Sequence, residues 1–132
     1  MDERTILLVI FVLHIIFDAI GDALRYNKRP FAYHFFEVLQ VATMLCLLFV
    51  SVEFTTVIYL ILAYGCLRFA IFDCLYNVLT RRNIMYIGES SFYDKILGNI
   101  FKTATSKSVL MGVRMCFLIL GLYLIQYLIP FS

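Results

Sequence analysis

Apolar positions fall into four long runs, at residues 5–24, 31–50, 55–79 and 108–129, separated by shorter polar stretches. A helix needs about 20 residues to cross a hydrocarbon core about 30 Å thick, and each run supplies them. None shows the short two-residue alternation of barrel strands, and an open sheet would leave backbone groups unpaired in lipid. The pattern therefore predicts an all-α fold: a four-transmembrane-helix bundle forming one integral membrane domain over residues 1–132. Arg25 to Arg29 is a tight connection ending at Pro30, and proline suits the first turn of a helix, where its missing N–H has no intrahelical partner. Residues 5–24 and 31–50 then form an antiparallel hairpin.

A second, shorter periodicity lies between the third and fourth runs. Over residues 91–102, Phe92, Tyr93, Ile96, Leu97, Ile100 and Phe101 make one apolar stripe, with Asp94, Lys95, Asn99 and Lys102 opposite. That is the pattern of an interfacial amphipathic helix lying on the membrane surface. Ser91 and Asp94 have the spacing of a helix-starting cap.

Composition agrees, with 63% hydrophobic residues and a mean hydropathy of +0.92. Soluble domains are about half apolar, so a soluble enzyme fold is excluded. The formal charge of +2 arises from 11 basic and 9 acidic residues, and their distribution says more than their sum. Arg25, Lys28, Arg29, Arg81, Arg82, Lys95, Lys102 and Lys107 fall in the first and third connections, whereas Arg4 stands alone on the other side. The positive-inside rule places those connections in the cytoplasm and both termini on the non-cytoplasmic side of an inner membrane. No dense basic face with interleaved aromatics points to nucleic acid. Cys46, Cys66, Cys74 and Cys116 sit singly in apolar runs, as buried free thiols rather than a zinc or disulfide framework. Met-Asp-Glu-Arg is not the basic start of a signal peptide, so the first run is expected to be retained.

Chemistry enters with the ionisable residues inside the runs. His14, Asp18, Asp22 and Arg25 share one helical face within about 80°. His34 and Glu37 lie near the basic start of the second run, Asp73 and Asn77 near the basic end of the third, and Arg114 early in the fourth. Charges inside a bilayer are costly and mark function by default. Together these residues predict a polar cleft opening to the cytoplasm. Its chemistry fits a divalent metal, Zn, Mn, Fe or Mg, held by His14, Asp18, His34, Glu37 and Asp73. Asp22, Arg25 and Arg68 are the candidate catalytic groups, the arginines holding an anion. A phosphate-bearing membrane lipid or lipid-linked substrate fits such an opening. Arg25 and Arg114 lie close enough to the interface to reach water, and Arg68 is roughly 140° around its helix from Asp73. The alternative is a non-enzymatic membrane protein, a homo-oligomeric pore, an ion path or an accessory subunit, in which the same residues form an ion-pair network fixing helix register.

Overall fold

The computed structural model describes residues 2–49, 56–87 and 92–128, and every regular element among them is helical. The helices are α1 (Glu3–Tyr26), α2 (Pro30–Leu45), α3 (Val57–Leu79), α4 (Phe92–Ile100) and α5 (Ala104–Tyr123). A 3-10 turn, Cys46–Phe49, continues α2, and a π-helical turn, Leu124–Leu128, continues α5. Three segments, Glu3–Tyr26, Val57–Leu79 and Thr105–Tyr127, are long and apolar enough to cross a membrane, consistent with an integral membrane protein. The second apolar run is α-helical only through the 16 residues of α2, which the 3-10 turn continues. Helix α4 falls within the amphipathic stretch, but the cap expected at Ser91 and the connection at 51–54 lie outside the described residues.

Local chemistry sets the helix ends. Asp2 caps α1 by accepting a hydrogen bond from the Thr5 N–H at 3.0 Å. Thr103 and Ser106 form a reciprocal capping box that starts α5 at Ala104, four residues before the apolar run itself begins. The C-terminal ends of α1 and α3 are built alike. The Arg29 N–H donates to the Leu24 carbonyl and the Lys28 N–H to that of Arg25, while Arg82 donates to Asn77 and Arg81 to Val78. This is the Schellman arrangement, whose penultimate residue is usually glycine because it must adopt a left-handed conformation. Here those places are held by Lys28, with φ 58°, and Arg81, with φ 57°.

These two ends sit side by side, since Leu24, Asn27 and Arg29 share a cavity with Leu79, Thr80 and Arg81. Arg82 stacks between Tyr26 and Tyr86, 4.6 Å from each ring. Hence α1 and α3 are parallel, and the intervening chain returns to the opposite end. There the Arg4 guanidinium donates to the Gln126 carbonyl, so α5 runs antiparallel to α1.

Packing follows the order α2, α1, α3, α5, with each helix resting mainly on the next. Small residues allow close approach, as expected where lipid supplies no hydrophobic drive between helices. Gly21 faces the Phe36 side chain, and a Cβ at Gly121 would lie 3.0 Å from Leu67 and 3.2 Å from the Ala63 carbonyl. The apolar core joins Leu7, Ile10, Phe11 and Ile15 of α1 to Ala63, Cys66 and Leu67 of α3 and to Leu124 and Ile125. It fills the half of the molecule remote from the basic turns. All four cysteines are free thiols, but only Cys66 is buried; Cys46 and Cys116 are exposed on outward helix faces.

Candidate functional site

The polar side chains of the spanning region gather into three nodes, the first and third of which both use Gln40. At the first, Arg68 of α3 meets Asp18 of α1, its Nη2 2.6 Å from Oδ2. The Gln40 side chain of α2 donates to the other Asp18 oxygen at 2.7 Å. One carboxylate therefore ties three helices. The Arg68 guanidinium also lies 4.1 Å from the Phe72 ring centroid, which covers its other face.

The second node joins α3 and α5. Arg114 of α5 donates from Nη2 to Asp73 Oδ2 of α3 at 2.6 Å and from Nη1 to Cys74 Sγ at 3.6 Å. Its side chain is only 2% exposed, and its Nε has no hydrogen-bond partner among the described residues. Sequence spacing placed this arginine near the interface. Its side chain instead turns inward, because its face of α5 packs on α3 against Asp73 and Cys74.

His14 forms the third node. Its Nδ1 lies 3.2 Å from the Gln40 carbonyl and 3.3 Å from Thr43 Oγ1, and the Thr43 hydroxyl donates to that same carbonyl at 2.8 Å. Donation from the ring to the carbonyl requires the proton on Nδ1. The Tyr64 ring, edge-on to Phe11, flanks the imidazole at 5.7 Å.

The expected metal ligands are distributed among different partners. Asp18 belongs to Arg68 and Gln40, Asp73 to Arg114, and His14 to α2. His34 and Glu37 pair with each other at 2.7 Å on an exposed face. Among the described residues, no three His, Cys, Asp or Glu side chains come together in a way that could hold a metal ion. Of the residues expected to be catalytic, Arg68 is the ion-pair partner just described, and Arg25 lies over the Tyr33 ring at 5.5 Å. Asp22 is half-buried one turn beyond Asp18 and makes no ion pair among the described residues.

Asn77 has a different task from the one its position beside Asp73 implied. Its buried amide donates to the carbonyls of Ile84 at 3.2 Å and Tyr86 at 2.8 Å, fastening the segment after α3. Gln40 was missed by a search for ionisable groups, although it is the one amide side chain in the second apolar run.

Arg68 and Asp73, with Gly65, Phe69 and Phe72, line a cavity of about 340 Å³ along α3. Two further cavities lie at the basic end. One, about 250 Å³, is lined by Arg25, Lys28, Arg29, Tyr33 and His34. The other is the cavity of about 500 Å³ between the α1 and α3 ends. No protein-family model, curated protein or solved structure matches the chain.

Proposed function

We propose that the chain is a non-enzymatic polytopic membrane protein, an accessory or self-assembling subunit whose intramembrane charges latch its helices together. What carries this reading is the partnering of Asp18 and Asp73, each held at 2.6 Å by an arginine of a different helix. A carboxylate so engaged has lost the freedom that a metal ligand or a general base needs, and a metal would have to displace the arginine. Polar side chains are used between membrane helices in this way as register-setting contacts.

In this reading α2 and its 3-10 turn complete a fourth crossing, since together they extend about 32 Å. The basic end faces the cytoplasm, α4 lies along that surface, and both termini are outside. Outward apolar side chains, among them Val38 and Val41 of α2 and Ile58 and Ile61 of α3, meet lipid or a neighbouring chain.

Metal analysis and light scattering on detergent-purified protein test the proposal. We expect Zn, Mn, Fe and Mg well below one per chain, in particles containing more than one chain or a co-purified partner. Stoichiometric metal that is lost in His34→Ala or Asp18→Ala overturns it in favour of a metal site.

A further inference from the structure

The basic end holds a group of cations that the interior network does not use. Arg25, Lys28 and Arg29 line one cavity and Arg29 and Arg81 the next, so Arg29 stands between the two. Among the described residues none of these four side chains is within ion-pair distance of a carboxylate. Glu37 reaches the smaller cavity through Tyr33 and His34, and both donate hydrogen bonds to it. Asp22 also lies within electrostatic reach of Arg25, and it feels Arg68 as well.

The backbone adds an independent observation. Lys28 and Arg81 occupy the left-handed positions of the paired Schellman turns, which glycine would fill without strain. Strained positions held by side chains of particular chemistry point to a use for those side chains. Here both are cations, brought to the same end of the molecule by the parallel run of α1 and α3.

We infer that the cavities around Arg29 form a binding site for a phosphate group, presented by the headgroup of an anionic membrane lipid. Lysine and arginine donors supply charge and forked hydrogen bonds to phosphate oxygens. Basic pockets between spans at the membrane surface take such headgroups. The Tyr33 ring, stacked against Arg25, and the Leu24 and Leu79 side chains give the site an apolar flank on which a glycerol backbone can rest. The inference does not depend on whether Asp18 and Asp73 are structural.

The test uses full-length protein in neutral-detergent micelles doped with phosphatidylglycerol, with phosphatidylcholine, or with inorganic phosphate alone. Lipid retention is read by native mass spectrometry and unfolding by circular dichroism. We expect phosphatidylglycerol to be retained and to raise the unfolding midpoint, with phosphatidylcholine and millimolar phosphate doing neither. Lys28→Gly/Arg81→Gly is the informative variant, because glycine suits both backbone positions and keeps the fold. It should weaken phosphatidylglycerol retention by about tenfold or more, and adding Arg29→Gln should abolish it. Inorganic phosphate protecting the wild type as well as the lipid does, with the same loss in the variant, supports the site and assigns it to a free phosphate compound. Equal retention of phosphatidylglycerol by wild type and the triple variant, or no preference over phosphatidylcholine, overturns the inference.

Discussion

Arg114 is the residue on which stability turns most sharply. A guanidinium that is 2% exposed, with one carboxylate partner, leaves an uncompensated charge in the interior when that partner is neutralised. Breaking such a pair costs about 3–5 kcal/mol, whereas replacing both members with apolar residues is often neutral or better. Asp73→Asn should therefore destabilise the protein by about 3–5 kcal/mol, and Asp73→Leu/Arg114→Leu should recover most of the loss. Denaturant titration in detergent measures both. The left-handed turns behave in the opposite sense, since Lys28→Gly removes a strain of about 1 kcal/mol and should raise stability by that order. Asp2 provides a pH signature. Hydrogen bonds from the Thr5 side chain and backbone lower its carboxyl below the ordinary 3.8. A depressed acid stabilises the folded form above its unfolded value and loses that contribution as pH falls through the folded one. Fraying of the first turn of α1 should accordingly begin only as pH drops below about 4, and Asp2→Asn should flatten the response. Amide exchange at Glu3 to Ile6 reports it.

At the scale of the helices, the contact most sensitive to volume is the crossing of α3 and α5. A Cβ at Gly121 would stand 3.0 Å from Leu67 and 3.2 Å from a backbone oxygen that cannot swing aside. Gly121→Val should cost about 1–3 kcal/mol by overpacking, whereas Gly112, with open space around it, should accept alanine without loss. Helix positions were legible from the apolar runs because a membrane span must be long and continuous. The start of α5 was not, because its Thr103–Ser106 box lies in a polar stretch outside the run. The burial of Arg114 was not legible either, because it depends on α3 being the neighbour that covers its face. By contrast, the angular offset of Arg68 from Asp73 could be read in advance, and the two do face different helices: Arg68 turns to α1 and Asp73 to α5.

Over the whole molecule, periodicity gave the faces of the helices but not their neighbours, and partner choice depends on neighbours. Asp18 shares a helical face with Asp22 and Arg25, yet its arginine comes from a residue fifty positions later that only the parallel packing of α1 and α3 brings near. The same parallel packing constrains topology. With the C-terminal ends of α1 and α3 together, the chain between them must travel the full length of the molecule, so α1, α3 and the returning segment cross the same thickness. If that thickness is the bilayer, the basic turns at Lys28 and Arg81, the Tyr26–Arg82–Tyr86 stack and the start of α5 all share one aqueous side, opposite Asp2. Site-directed labelling reads this directly. In a background with Cys46, Cys66, Cys74 and Cys116 replaced, single cysteines at the exposed positions Asn83 and Lys102 should react with a membrane-impermeant maleimide only in inside-out vesicles. A cysteine at Asp2 should react only from the outside of intact cells. Opposite labelling of all three would leave the fold intact and reverse the orientation. Labelling of Asn83 and Asp2 from the same side would contradict an odd number of crossings between them, and with it the passage of α2 across the membrane.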